Sequence, residues 1–515
     1  MSVELAGPAG EKAPRWVKVI DQTRCIGCHA CTTACKSENE VPLGVTRTYV
    51  KSVDIGVFPH VRRAFQVTRC NQCQDALCVT ACPTEAMYRR PDGIVDFDKR
   101  ICIGCKACIA ACPYDAIFIN PDDHSAEKCN FCAHRLDIGL EPACVSVCPT
   151  EAILVGDLND ADSKVARIVQ RDVVSVRRPE KETSPGLFYK GAHHATLDPL
   201  AARRPDGGLY AWATQGDSSD PLHVGSGHPR RGNSSAEALL SYDIPHHAPW
   251  GWRVSLYTWT KGLAAGGMLV PLILAIAGRL DWGDPLVRWA SPVLALAFLA
   301  VTGALLIWDL KHPRRFYLIF TRHHWRSWLV KGSFVIGAYG GVAALYLIGA
   351  LAGSTVMRQV LTGFAIPLSL AAAVYTAYLF AQAKARDLWQ SPLLLPHLAV
   401  QAVMAGAAAV IPLAEWLSPH AAVVGAEALL CAAAATHLLA VYGEVTLTHP
   451  TAHAHLAVAE MTRGRYALYF WAGVVGVATA VAAPWIGAVA TPFALLGLLA
   501  HEHAYVQSGQ CVPLA

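Results

Sequence analysis

Sixteen of the chain's 18 cysteines fall between Cys25 and Cys148, in four groups of four. The first group is Cys25, Cys28, Cys31 and Cys35, and the second is Cys70, Cys73, Cys78 and Cys82. The third is Cys102, Cys105, Cys108 and Cys112, and the fourth is Cys129, Cys132, Cys144 and Cys148. A chain that gathers its thiols this way must wrap around whatever the thiolates hold, and grouped cysteines point to metal ligation rather than disulfides. The third group, "CIGCKACIAACP", has gaps of two, two and three residues and closes on a proline. In that spacing three thiolates hold one iron–sulfur cluster and the fourth reaches across to another. Cys112 therefore requires a partner group elsewhere in the chain.

The hexapeptides "CPTEAM", "CPYDAI" and "CPTEAI" follow groups two, three and four, so the ligand frame is an internal repeat. Zinc is the alternative occupant of C-x2-C pairs. Fourfold groups that close on Cys-Pro favour clusters over zinc. Four complete groups imply about sixteen irons and no zinc per chain. Clusters need reduced thiolates, hence assembly in a reducing compartment. The opening "MSVELAGPAGEKAPRWVKV" has neither an apolar core nor a twin arginine, so no export signal is expected. Cys431 and Cys511 have no ligand neighbours in sequence and read as structural.

Hydrophobic residues make up 53% of the chain and charged ones 16%, and the apolar runs concentrate after residue 251. Eight of them, near 254–278, 287–308, 329–352, 360–383, 393–412, 421–443, 466–484 and 486–506, are candidate membrane helices. Each crossing needs about 20 residues, and only helices or closed barrels satisfy the backbone in lipid. A net charge of +4, with no basic helix carrying interleaved aromatics, argues against nucleic acid as a partner. The loop 309–332 contributes Lys311, Arg314, Arg315, Arg322, Arg326 and Lys331 to the face on the cysteine side. Lys384, Arg386, Arg463 and Arg465 fall on that same face, against Arg279, Arg288 and Arg358 opposite. By the positive-inside rule the cysteine-bearing face is cytoplasmic, at the inner membrane. Residues 188–250, rich in Gly, Pro, His and Ser, read as an extended linker or strap, flexible over 215–236. The expected plan is 1–187 for the cysteine domain, 188–250 for the linker and 251–515 for the membrane domain.

The cysteine spacing resembles that of bacterial ferredoxins. Residues 15 to about 200 resemble the four-cluster electron-transfer subunit of the DMSO reductase type of molybdoenzymes. Further on, "DLKHPRRF", "YTAYLFAQAKARDLWQSPLLLPHL" and "EHAYVQSGQCVPL" resemble the NrfD-like, polysulfide-reductase-type membrane subunits that react with quinone. The resemblance implies an α+β duplicated ferredoxin-like domain followed by an all-α membrane bundle of about eight helices. It implies ligand sets that cross between groups: Cys25, Cys28 and Cys31 with Cys148, and Cys35 with Cys129, Cys132 and Cys144. Likewise Cys70, Cys73 and Cys78 would join Cys112, and Cys82 would join Cys102, Cys105 and Cys108. Four 4Fe–4S clusters, no haem, menaquinone or ubiquinone in the membrane, and a separate molybdenum or tungsten catalytic subunit belong to the same expectation. The implied role is that of a respiratory electron-transfer and membrane-anchor subunit that reduces quinone, while its partner acts on a donor such as sulfite or formate. Most relatives keep the two halves on separate polypeptides, so the fusion is a departure.

Quinone chemistry needs protons, and ionisable groups inside a bundle are costly and functional by default. Tyr257, Lys261, Asp309 and His312 are chosen as the quinone site because they flank the basic loop nearest the cysteines, with Lys261 expected to pair with Asp309. Trp259, Tyr375, Tyr378, His397, His437, Glu444, His501, Glu502 and His503 lie at similar depth, and Glu427 lies deeper. Two other functions stay open. One is b-type haem held by pairs among His397, His437, His501 and His503. The other is a redox-driven ion pump that uses Glu427 and Glu444.

Overall fold

The computed structural model describes residues 13–203 and 238–515. The flexible reading of 215–236, and the first twelve residues of the export-signal argument, lie outside the described residues. In the cysteine domain, Trp16–Asp21 pairs antiparallel with Ile153–Asp157 and parallel with Leu187–Lys190, which also pairs with Val174–Ser175. A second sheet joins Thr48–Ile55 to Arg62–Arg69 and to Ala238–Tyr242. Two hairpins, Met87–Arg89 with Val95–Phe97 and Ile117–Ile119 with Ala126–Lys128, each follow a Cys-Pro turn.

The sequence repeat is a repeat of backbone path. The third residue after the Cys of each Cys-Pro, Glu85, Asp115 and Glu151, has a positive φ of 58°, 48° and 49°. The residue before the second cysteine of each group does the same, at Gly27, Gln72, Gly104 and Phe131 (70°, 47°, 67° and 66°). Few non-glycine residues accept that region, so its recurrence at matching positions reflects a common demand. Such turns aim successive N–H groups into one concavity, a device that binds anions and iron–sulfur sites.

The expected linker needs correction at both ends. Leu187–Lys190 is a strand with Tyr189 fully buried, and the Tyr189 hydroxyl donates to the Val67 carbonyl at 3.0 Å. Ala238–Tyr242 extends the second sheet. Strands of four or five residues beside Gly and Pro carry too little pattern to be seen before their distant partners are known.

Among the described residues, seven helices are long and apolar enough to cross a membrane: Trp252–Ile276, Leu286–Asp309, Trp328–Leu351, Thr355–Gln382, Leu394–Leu417, His420–Thr446 and Ala483–Ser508. The chain is a multi-pass membrane protein. The expected span 466–484 is a shorter apolar helix, Ala467–Val481, of 15 residues. At 1.5 Å per residue it covers about 22 Å, less than the ~30 Å hydrocarbon core. It lies against the last helix, where a Cβ on Gly476 would come within 2.8 Å of Gly497. The first helix is central, with 83% of its apolar window buried against 28% for the third. It crosses the fifth at paired glycines, since a Cβ on Gly266 would lie 1.9 Å from the Ala402 carbonyl oxygen. Such small-residue contacts let membrane helices approach closely.

Candidate functional site

The cysteines gather across groups. Cys112 lies close enough to Cys70, Cys73 and Cys78 for their charges to interact, and Cys82 does the same with Cys102, Cys105 and Cys108. Cys148 faces Cys25 and Cys31, while Cys35 faces Cys129, Cys132 and Cys144. The Asn39 side-chain amide reaches the sulfurs of both Cys35 and Cys132 at 3.7 Å. Burial pushes the Cys35 thiol up to about 12, and Cys129 and Cys144 push the same way. Cys144 differs. Burial would raise it, but Arg69, 2.9 Å from its sulfur, and Lys18, at 3.6 Å, hold it down at about 7.

The surroundings fit an anionic group. Backbone N–H groups of Met87, Ala126 and Ala152 donate to the sulfurs of Cys82, Cys102 and Cys148 at 3.4, 3.4 and 3.2 Å. Buried polar atoms of Arg69, Gln66 and Asn71 have no partner among the described residues. Polar groups left so in a dry interior are normally satisfied by something, and sulfide-rich clusters accept such donors.

The third group rests on the membrane half. Lys106 Nζ pairs with Asp309 at 2.9 Å, each about one-tenth exposed. The backbone N–H groups of Lys311 and His312 donate to the carbonyls of Gly104 and Ile103 at 3.3 and 3.1 Å. Arg315 Nη1 donates to the Lys99 and Cys102 carbonyls, both at 2.9 Å. Ser327 donates to the Ala81 carbonyl at 2.9 Å. Gly104 admits no substitute here, because a Cβ would sit 2.4 Å from Lys311 Cβ. Trp250 closes the contact. Its indole N–H donates to the Cys105 carbonyl at 3.1 Å, and its ring stacks on Phe380 and Trp389. Gln510, in the C-terminal tail, bonds both the N–H and the carbonyl of Trp250.

A cavity of about 220 Å³ lies under this contact, lined by Cys105, Trp250, Tyr257, Asp309, Tyr375 and apolar residues including Leu306, Ile319 and Leu329. A second cavity, of about 380 Å³, shares Asp309 with the first and is lined further by Lys106, Arg47, Asp115 and His246.

The 4Fe-4S binding domain model matches residues 16–37, the 4Fe-4S dicluster domain model matches 61–158, and the polysulphide reductase NrfD model matches 243–498. A tetrathionate reductase subunit of Salmonella typhimurium is 42% identical over 198 residues, covering 38% of this chain and 79% of that protein. This polypeptide belongs to the 4Fe-4S electron-transfer subunits of reductase complexes, with an NrfD membrane subunit fused to it. The thiosulfate reductase electron transfer subunit of Salmonella typhi is 47% identical over 183 residues (35% of this chain, 94% of that protein). A polysulfide reductase polypeptide of Wolinella succinogenes is 41% identical over 179 residues (34% and 94%).

Within this fused subunit the four residues chosen from sequence separate. Tyr257 and Asp309 line the cavity. Lys261 does not reach Asp309, which is taken by Lys106. Its ammonium instead donates to the Ala373 carbonyl at 2.8 Å and to Thr376, and lies 4.6 Å over the Tyr375 ring. His312 belongs to the docking loop rather than to the cavity wall. The basic loop is a docking surface, so the charge count behind the topology argument measures docking as well. Sequence reasoning missed Lys106 and Trp250; the only signals were a lysine inside a ligand motif and an aromatic just before the first span.

The alternatives fare differently. His397 Nε2 and His437 Nδ1 are 2.8 Å apart in direct hydrogen bond, which leaves no room for a porphyrin between them. His503 stands apart, against Tyr469 at 4.7 Å. Glu427 and Glu444 are on one helix, His420–Thr446, and seventeen residues apart put them about 26 Å from each other. They form no common ion site.

Proposed function

We propose that this chain links a molybdenum- or tungsten-containing catalytic subunit to membrane quinone, and that quinone is reduced in the cavity beside Cys105. The four crossed cysteine sets each suit one 4Fe–4S cluster, which supplies a one-electron carrier when bound. The relatives' names support a catalytic partner, since they are subunits of tetrathionate, thiosulfate and polysulfide reductases. That partner is best placed by the first cysteine set, where Cys28 is exposed beside an exposed Ile26. The cations on the cysteine-bearing face support a cytoplasmic side, hence a donor such as sulfite or formate and electron flow towards quinone.

The observation that carries the quinone reading is the wall of the cavity, which joins Cys105 to Tyr257, Asp309 and Tyr375. Leu306, Ile319 and Leu329 suit an apolar ring, and Ile307, Phe316 and Phe320, each more than a third exposed on the bundle, suit an approach from lipid. Reduction of a quinone by two electrons also consumes two protons. Asp309 borders both cavities, so the Asp309–Lys106 ion pair is placed to pass a proton from the polar space beyond to one quinone oxygen. Lys106 fixes the orientation of that carboxylate. The Tyr257 phenol faces the same cavity and holds a proton for the second oxygen. In Asp309→Asn and Tyr257→Phe, quinone reduction should fall at least 100-fold, about 2.7 kcal/mol. Reduction of the clusters by the partner should stay within about twofold of the unmodified protein. Full quinone turnover in both variants, or an inhibitor bound at the opposite membrane face, would overturn the assignment.

A further inference from the structure

Three histidines from three helices meet inside the membrane half, away from the quinone cavity. His397 comes from Leu394–Leu417, His437 from His420–Thr446 and His501 from Ala490–Ser508. Each is at most 2% exposed. One ring nitrogen from each lies within 4.8 Å of the other two, and ring centres are 4.6, 5.4 and 4.7 Å apart. We propose that His397, His437 and His501 form a binding site for one divalent transition-metal ion of the zinc class.

Imidazole nitrogen suits such ions, and three histidines with an open fourth position form a common zinc ligand set. Zinc–nitrogen bonds of about 2.0–2.1 Å in a tetrahedron put ligand nitrogens about 3.4 Å apart. The three nitrogens lie within 4.8 Å of one another, so the 2.8 Å pair needs to open by about 0.6 Å and a pair at the 4.8 Å limit to close by about 1.4 Å.

The neighbouring groups fit this assignment better than they fit a bare hydrogen-bonded cluster. His397 Nδ1 faces Glu444 Oε1 at 3.4 Å while its Nε2 faces the other rings. A ligating histidine usually gives its second N–H to a carboxylate, which fixes the tautomer and offsets the ion's charge. Buried atoms are otherwise stranded: Glu444 Oε2, His501 Nδ1 and Gln401 Oε1 have no partner among the described residues. A cavity of about 20 Å³, bordered by His397, His501, Gln401 and Glu502, has the size of one water. It suits a water as fourth ligand, within reach of two polar side chains. The backbone is set as well, because Gly473 lets Ala467–Val481 press close to the last helix, and a Cβ there would lie 2.9 Å from the His501 amide nitrogen. An ion there would tie three helices together beside Glu502, which bonds Thr258 of the first helix. This adds one ion, held by nitrogen, to the zinc-free expectation read from the cysteines.

The test uses the full chain purified anaerobically with its complex, equilibrated with Zn²⁺, washed with chelator and analysed for zinc and iron. One zinc per chain is expected, and zinc-edge X-ray absorption should show nitrogen and oxygen neighbours with histidine scattering. His437→Asn and His501→Asn should each lose the zinc while iron stays at its unmodified level, which controls for misfolding. Glu444→Gln should keep the site but weaken zinc affinity about 10–100-fold. Less than about 0.1 zinc per chain, sulfur neighbours around the zinc, or full retention of zinc in both histidine variants would overturn the proposal.

Discussion

In the cysteine domain, Lys18, Arg69 and Lys128 are buried against thiols or carbonyls that the repeated ligand motifs bring to them. In the membrane half, Lys261 finds Ala373 and Thr376 more than a hundred residues away, and Glu502 finds Thr258 across 244. Both regions satisfy costly buried polar groups. In one the partner thiol belongs to a short ligand motif, although Lys18 and Arg69 reach Cys144 across 126 and 75 residues, and in the other the partners belong to no motif and are met only once helices have packed. Ligation demands a fixed local spacing, whereas membrane packing demands only that some helix supply a partner at the right depth.

Cys112→Ser tests the local side of this contrast most severely. Cys112 lies in group three but faces Cys70, Cys73 and Cys78. Iron should fall from about sixteen to about twelve per chain, and turnover through the complex should be lost. The spectrum of the set formed by Cys82, Cys102, Cys105 and Cys108 should persist. Loss of that set, with the other retained, would show that the groups do not cross.

The four cysteine groups were legible because each motif carries its own geometry, down to the positive φ before the second cysteine, whereas their crossing was implied only by the family resemblance. The spans were legible through hydropathy, save Ala467–Val481, whose apolar composition conceals its shortness. Of the four residues chosen for quinone, two line the cavity beside Cys105. Tyr257 and Asp309 follow from depth and nearness to the basic loop. The partner of Asp309 is Lys106, supplied by the other domain, and no pattern in the membrane sequence encodes it. Lys261 was misassigned for the same reason, as depth says how far along a helix a group sits but not which way it faces. The linker was misread because Ala238–Tyr242 becomes a strand only against Thr48–Ile55.

Arg315→Ala probes the seam between the two regions. It removes two charge-assisted bonds, to the Lys99 and Cys102 carbonyls, worth about 1.5–3 kcal/mol each. Quinone reduction should drop about tenfold or more, with cluster reduction by the partner intact. Faster amide exchange over residues 99–105 should accompany it. Equal loss of both activities would mean that the loop supports the cysteine domain itself rather than its docking.

Lys261→Met separates a group that lines the cavity from one acting through a neighbour. Lys261 lies over Tyr375, whose ring lines the cavity, and Met replaces it at similar volume without a buried charge. KM for quinone should rise up to about tenfold with kcat nearly unchanged, whereas Asp309→Asn should strike kcat. A kcat loss as large as that of Asp309→Asn would return Lys261 to the reacting site.

The smallest effect concerns His246, where the segment entering the membrane half is fastened to the cysteine domain. Its ring bonds Asp115 through Nδ1 and Asp243 through Nε2 at 3.2 Å, and Tyr49 packs on it with ring centres 6.1 Å apart. Burial alone would lower the imidazole, but the Asp243 and Asp115 carboxylates overcome it and hold the group at about 9. Burial likewise would raise Asp115, yet His246 and then Arg386 keep it below its ordinary value. A folded value above the ordinary 6.5 means that the protonated imidazole stabilises the fold fully below pH 6.5. That contribution fades as pH rises through about 9, while the Asp115 contribution is lost only in acid. Between those limits native stability should fall with pH at up to about 1.4 kcal/mol per unit from this group. His246→Gln cannot titrate, so the Tm of the purified protein should lose that slope between pH 6.5 and 9. An unchanged slope in the variant would place the titration on another group and leave this fastening neutral to pH.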